Sequence, residues 1–202
     1  GFVHVTASGT VDLKGRTRDG ATPVIALQNL TAGGHMVALT RTYSHITIPG
    51  WKFSTYLLAE EFMDALRARK ASGATWSSGK ERYSRYLKTL IQVGAAADSV
   101  FGTVLGQKYE IILLADPMAL SEGQSLPVRV EFDGQPASGV RVIARSPEHK
   151  DSEGRTDSSG VVKLPLSGRG EWLIRSVQMR PCGGCKKADW ESFWASYHFI
   201  QL

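Results

Sequence analysis

The chain has 202 residues, an apolar fraction of 42% and a formal net charge of +5, which suits one large or two small domains. No apolar run approaches the ~18 residues of a membrane-spanning helix. Lys and Arg are interspersed with acids, without the basic stripe that nucleic-acid binding leaves. We therefore expect neither a membrane-spanning helix nor a nucleic-acid partner.

The first part of the chain is typical of β-structure. Residues 35–48 are rich in β-branched side chains and stop at Pro49-Gly50, where a turn is expected. The spacing of Leu58, Phe62 and Leu66 is helical, which predicts a helix over about 54–70.

A second helix is predicted over about 80–93. Tyr83, Leu87 and Leu90 form an apolar stripe there, with Lys and Arg spread around the rest. Residues 1–115 therefore predict an α+β domain, a β-sandwich-like sheet that carries a two-helix insertion.

The polar connector that begins at Asp116-Pro117 predicts a domain boundary. In residues 116–202, short strands follow one another at roughly ten-residue spacing, which favours an immunoglobulin-like β-sandwich. The last segment, 190–202, has apolar side chains on both faces, which predicts a strand inside a sheet. The predicted fold class is mainly β.

Cys182-Gly183-Gly184-Cys185 is a short motif between two predicted strands. Three interpretations stay open: a local disulfide, half of a metal site, or a redox pair. A tetrathiolate zinc site needs two more Cys, and a thioredoxin-like pair needs a helix N-terminus to lower a thiol pKa. A disulfide that closes the loop is the default for an exported protein.

Metal-ligand candidates are His35, His45 and His198, from a total of five histidines. His35 and His45 share strand parity but lie ten residues apart, so they meet only if a turn falls between them. Soft and borderline transition metals prefer imidazole and thiolate ligands, so histidine with the Cys pair is the chemically sensible combination. A lone histidine on a strand is more often hydrogen-bonded than metal-bound.

Arg82, Arg85 and Tyr86 form a candidate docking surface in the second predicted helix. The alternative is that the aromatic residues pack and the Arg side chains pair with acids, since charges on a helix usually form a solvated face. Glu191 is expected to pair with a nearby Arg. The chain has neither a G-x-S-x-G motif nor a Gly-rich phosphate loop, so no catalytic residue is assigned.

Several segments together resemble a known family. They are ERYSRYLK at 81–88, LGQKYEI at 105–111 with ADP at 115–117, LPVRV at 126–130, and DWESFWAS at 189–196. They resemble bacterial periplasmic proteins catalogued as a domain of unknown function and as an accessory component of cobalt and nickel uptake systems. The resemblance covers roughly residues 50–202. Members usually begin with a His-Asp-Phe-Trp-like segment that this chain does not show, so no metal role of that segment is carried over.

The resemblance implies a non-enzymatic, periplasmic or secreted protein that assists nickel or cobalt uptake. It also implies Ni²⁺ or Co²⁺ as the bound ion and a membrane metal-uptake transporter as the partner. The alternative is a carbohydrate- or protein-binding surface module without metal. A thiol redox enzyme that uses Cys182 and Cys185 is a third hypothesis.

Overall fold

The computed structural model describes residues 1–16, 20, 25–121 and 123–201. The described chain is mainly β, which confirms the predicted class. Its strands and helices, in chain order, are β1 Phe2–Thr6, β2 Gly9–Asp12, β3 Gly33–Ile48, α1 Gly50–Ala59, α2 Met63–Ala71, β4 Gly79–Val93, β5 Tyr109–Leu113, β6 Ser125–Phe132, β7 Gln135–Pro136, β8 Arg141–Arg145, β9 Ser152–Arg155, β10 Val161–Pro165, β11 Gly170–Pro181 and β12 Trp190–Gln201. Neither helix in these residues has the length and apolar content needed to cross a membrane.

The first of two compact units comprises residues 1–40, 86–176 and 195–202. It contains two antiparallel sheets, one of eight strands in the order β2-β1-β3-β4-β12-β11-β8-β9 and one in the order β10-β6-β5, with β7 paired to β6. The largest apolar side chains enclosed in this unit are almost fully buried: Trp172, Tyr109, Tyr197, Phe199, Leu13, Met36, Ile111 and Ile112. This is the core of a β-sandwich, as predicted.

Alternation of side chains accounts for the strands that sequence patterns predict well. On β6, Leu126, Val128 and Val130 are fully buried, while the residues between them are only partly covered. On β12, the alternate residues from Phe193 to Phe199 are buried. The position of β12 between β4 and β11 confirms that this strand lies inside a sheet.

A buried ion pair lies between the two sheets of the first unit. The ammonium of Lys88 on β4 is 2.6 Å from the carboxylate of Glu110 on β5, and both side chains are 1% exposed. Burial lowers the pKa of Lys88, while the neighbouring Glu110 opposes that shift. Their remaining hydrogen-bonding capacity is used by backbone groups, namely the Thr103 and Ile111 carbonyls and the Leu105 and Gln107 amides. The pair is therefore desolvated but well satisfied.

The second unit comprises residues 41–85 and 177–194. It contains both helices, and four long strands contribute residues to it: β3, β4, β11 and β12. Its small core is formed by Phe53, Leu57, Ala65 and Trp190, with half-buried apolar residues packed around them.

The predicted helix over 80–93 is wrong, because these residues form β4. Ser84, Tyr86, Lys88 and Leu90 are buried at alternate positions, which is the period of a strand. The sequence conceals this period because a lysine occupies one of the buried positions, and a lysine is normally expected to face solvent.

The helix predicted over 54–70 is two helices in the structure, α1 and α2. Glu61 separates them, with a φ of 59°, a left-handed conformation that a continuous helix does not contain. Two helices are therefore present, as the fold class predicted, but both lie before residue 72.

The predicted domain boundary between residues 115 and 116 falls inside the first unit, where β5 and β6 pair with each other from either side of it. The second unit takes its residues from two separate segments of the chain instead. Independent folding of 1–115 and 116–202 stays a prediction.

Candidate functional site

A pair of histidines joins β1 and β3 in the first unit. The two strands are antiparallel, with His4 opposite Val37, so that His4 and His35 lie diagonally across the strand pair. Nε2 of His4 is 2.9 Å from Nδ1 of His35, and the two rings stack with their centroids 5.1 Å apart. We call His4 and His35 the histidine pair.

The proton positions of the histidine pair follow from their surroundings. His35 is 3% exposed, and its Nε2 lies 2.8 Å from the carbonyl oxygen of Thr31. A carbonyl only accepts hydrogen bonds, so this Nε2 carries the proton and Nδ1 presents its lone pair to His4. Burial, and secondarily the neighbouring His35, lower the pKa of His4, which favours its neutral, ligand-competent form.

A small cavity of about 140 Å³ adjoins His35, and its lining includes Thr6, Ser8 and Asp98. The Asp98 carboxylate shapes one wall by accepting hydrogen bonds from the amides of Gly34, at 2.5 Å, and Val100, at 3.0 Å. A small ion or a few water molecules fit beside the histidine pair.

The other predicted metal ligands occupy different environments. β3 continues through His35 and His45 without the turn that would bring them together, and His45 is exposed. His198 on β12 is 3.0 Å from Glu171. Among the described residues, no group of three or more His, Cys, Asp or Glu side chains has the arrangement of a metal site. The metal role of His35, His45 and His198 stays a prediction, and the partner that the structure gives to His35 is His4.

A second concave site lies in the second unit. It is a groove of about 350 Å³, which we call the aromatic groove, and its lining residues are Ile46, Ile48, Tyr56, Glu81, Tyr83, Arg85 and Trp194. The rings of Tyr56 and Trp194 are nearly parallel, with an interplanar angle of 12° and centroids 6.1 Å apart. Such a groove combines apolar walls with a few polar groups, which is typical of ligand sites.

Glu81 is the buried polar group of the aromatic groove, with an exposure of 3%. Its carboxyl accepts hydrogen bonds from the hydroxyls of Tyr56 and Ser192, and Ser192 accepts one from the indole of Trp194 at 2.9 Å. Burial raises the pKa of Glu81, although these hydrogen bonds oppose the shift. The groove therefore contains a carboxyl group that is a weaker acid than a solvent-exposed glutamate.

The predicted docking surface is only partly exposed. Tyr86 is 3% exposed, so it cannot belong to a docking surface. Arg82 binds Glu191 through two nitrogens, at 3.0 and 2.6 Å, and Arg180 binds the other oxygen of this carboxylate. The predicted pairing of Glu191 with a nearby Arg is confirmed, and Arg85 stacks over Tyr83 instead.

The predicted disulfide between Cys182 and Cys185 is present. It closes the connection from β11 to β12. The two glycines between the cysteines have open space around them, and Gly184 has a φ of 77°, a conformation that glycine adopts readily.

Comparison with known proteins gives one match. A family model described as Domain of unknown function (DUF4198) matches residues 1–180. No curated protein and no solved structure matches significantly. The match begins earlier in the chain than the predicted resemblance and includes both members of the histidine pair. With most of its length covered by this model, the chain belongs to the DUF4198 family of domains of unknown function.

Proposed function

We propose that this protein is a non-enzymatic, exported binding protein that carries a nickel or cobalt ion and assists a membrane metal-uptake transporter. The observation that supports this proposal is the histidine pair, two imidazoles whose nearest nitrogens are 2.9 Å apart. The resemblance of the chain to accessory components of cobalt and nickel uptake motivates the choice of ion.

The histidine pair fits a transition-metal ion chemically. Metal–imidazole bonds of about 2.0–2.1 Å place two nitrogens on one ion about 3 Å apart, close to the observed separation. The hydrogen bond from His35 to the Thr31 carbonyl orients that ring as the outer partner of a metal-bound histidine does. Ion binding would replace the hydrogen bond between the two rings. The proton on Nε2 of His4 would move to Nδ1 of the same ring, so that His4 would supply Nε2 and His35 would supply Nδ1. Imidazole is a preferred ligand of nickel and cobalt.

Two protein ligands hold an ion less firmly than a closed four-ligand site. The remaining positions are open to water or to ligands from a partner, as in sites that exchange what they bind. An accessory protein that hands its ion to a transporter requires such an exchangeable site.

The test is calorimetric titration of the protein with Ni²⁺ and Co²⁺. We expect one ion per chain and a loss of at least about tenfold in affinity for His4→Ala and for His35→Gln, since each removes one ligand nitrogen. His198→Ala is the matched control, because His198 pairs with Glu171 away from this site. Wild-type protein that binds neither ion, or a His4→Ala variant with unchanged affinity, would contradict the proposal.

The second candidate function is a carbohydrate- or protein-binding module without metal, and the aromatic groove favours it. Aromatic walls beside a carboxyl and a guanidinium suit a ligand with both apolar faces and hydroxyl or amide groups. In this case glycans or peptides would bind in the presence of a chelator, and Tyr83→Ala would weaken them while leaving metal titrations unchanged.

A further inference from the structure

The three most exposed large apolar side chains of the second unit are two tryptophans and a leucine. Trp76 is 82% exposed, Trp51 is 60% exposed and Leu58 is 59% exposed. We call these residues the tryptophan face. A buried tryptophan removes more apolar surface from water than most residues do. Two exposed tryptophans therefore leave apolar surface in water that burial against a partner would stabilise.

Helix α1 presents two of these residues on one side. Trp51 and Leu58 are seven residues apart, which is close to two helical turns, so they lie on the same stripe. Phe53 and Leu57 point the other way and are fully buried. The helix is therefore anchored to the core by one stripe and exposes an apolar stripe on the other.

The loop after α2 places Trp76 beside the same end of α1. A Cβ atom on Gly50 would lie 2.2 Å from the carbonyl oxygen of Trp76, so the backbone at residue 76 contacts the first residue of the helix. Gly50 directly precedes Trp51, so the two exposed tryptophans belong to one region of the surface.

Buried polar contacts fix this loop. The guanidinium of Arg69, which is 5% exposed, donates hydrogen bonds to the carbonyls of Ala74 and Ser77, at 2.7 and 2.5 Å. The hydroxyl of Ser54 donates to the carbonyl of Thr75 at 3.3 Å. Trp76 is thus exposed by a loop whose backbone is held in place, and its exposure does not come from a loose chain.

The charge of the protein is concentrated in the same unit. Eleven of the 24 Lys and Arg residues but only six of the 19 Asp and Glu residues lie in it, so the formal net charge of +5 resides there. At the tryptophan end of this face, the Lys52 ammonium is 5.3 Å from the centre of the Trp51 ring, and the exposed Lys70 lines a shallow pocket together with Thr75, next to Trp76. The acidic residues Glu60, Glu61 and Asp64 follow Leu58 at the other end.

We propose that the tryptophan face docks the protein on an anionic phospholipid surface. Tryptophan is the residue that prefers the boundary between lipid and water, and lysine side chains beside it reach the negative headgroups. Trp51 and Trp76 protrude from the surface. A lipid layer is deformable, so it accommodates protruding side chains without a preformed pocket. A positively charged unit with protruding tryptophans complements that surface in both charge and polarity.

The test is flotation of the purified full chain with protein-free vesicles, one set of phosphatidylcholine and one with about 30 mol % phosphatidylglycerol. We expect binding to the anionic vesicles only, weakened by salt and accompanied by a blue shift of tryptophan emission. The double variant Trp51→Ser/Trp76→Ser should lose at least about tenfold in partitioning, and Lys52→Glu/Lys70→Glu should lose the preference for anionic lipid.

The matched control is Val104→Ser/Leu114→Ser, which removes two side chains of the first unit that are 50% and 42% exposed and should leave binding unchanged. Circular dichroism confirms folding, which these surface changes should preserve. The proposal is overturned by wild-type protein that stays with the soluble fraction, or by equal partitioning of the tryptophan double variant. If the protein binds only membranes that retain their native proteins, the proposal is overturned in favour of a protein partner. If soluble glycans shift the tryptophan emission without lipid, and the double variant abolishes that shift, it is overturned in favour of a sugar ligand. None of these outcomes depends on metal binding.

Discussion

Glu81 is a carboxylic acid buried in the second unit, with an exposure of 3%. Its pKa lies above the ordinary value of 4.5, and the main cause is loss of hydration. In the unfolded chain this carboxyl is hydrated and releases its proton at lower pH. Between the ordinary and the raised pKa, the folded state binds more protons than the unfolded state, so the free energy of unfolding falls as pH rises through that window.

We predict that Glu81→Gln removes this decrease. A glutamine amide does not ionise, and its oxygen can still accept the hydrogen bonds of Tyr56 and Ser192. Urea unfolding of wild type and variant from pH 4 to pH 8 measures the difference. Glu153→Gln controls for the loss of one negative charge, because that side chain is 52% exposed. Parallel stability curves for wild type and Glu81→Gln would show that Glu81 is not the cause.

Single residues of the sites were predictable only where local pattern sufficed. The disulfide followed from the spacing of Cys182 and Cys185, and the partnership of Glu191 with an arginine followed from its position on a strand. His4 was missed because its partner is 31 residues away and only the register of β1 on β3 brings the two rings together. Glu81 was assigned to a helix, where a carboxylate would be expected to face water.

At the scale of elements, α1 and the loop after α2 depend on each other through Gly50. The absence of a side chain at this position lets the backbone at Trp76 and Ser77 approach the helix closely. The same loop is anchored from the other side by Arg69. The exposed position of Trp76 is therefore a property of these two contacts together.

We predict that Gly50→Ala destabilises the protein by about 1–3 kcal/mol, although alanine is intrinsically a better helix former than glycine by about 1 kcal/mol. The added carbon would lie 2.2 Å and 2.8 Å from the carbonyl oxygens of Trp76 and Ser77, and backbone atoms cannot turn aside as a side chain can. Urea unfolding measures the loss. Gly183→Ala is the control, since nothing lies within 4 Å of its added carbon, and an equal effect of both substitutions would contradict the prediction.

Whether an element is predictable depends on how well its buried face can be recognised. β6 and β12 alternate apolar residues in the way strands do, so their predictions are confirmed. β4 buries a serine, a tyrosine and a lysine on the face where apolar residues are expected. The ion pair with Glu110 offsets the cost of burying Lys88. Because Glu110 lies on another strand, the sequence around Lys88 does not indicate this partner.

At the scale of the whole molecule, the fold class is predictable from local patterns, whereas the two compact units depend on contacts between distant segments. Turn residues and short alternating segments indicate a mainly β protein with a sandwich. The second unit is assembled from residues 41–85 and 177–194, so its composition depends on contacts between distant segments. Local sequence patterns do not indicate a unit assembled in this way.

We predict that hydrogen exchange separates the two units. The helices of the second unit pack on a small cluster whose buried residues are at positions 53, 57, 65 and 190, whereas β5 in the first unit is buried at every position. Little buried apolar surface means a low free energy of local opening. Backbone amides of α1 and α2 should therefore exchange faster than those of β5 and β6 in mass-spectrometric labelling. Equal protection across these four elements would contradict this expectation.

The buried pair of Lys88 and Glu110 also favours one register of β4 during folding. If β4 slipped by one residue against its neighbours, the lysine would swing to the opposite side of the sheet. Glu110 would then remain enclosed as a lone negative charge, which costs several kcal/mol. A wrong register therefore costs more free energy with this ion pair than it would with an apolar pair at the same positions. The two charges thus favour the native alignment of the strands.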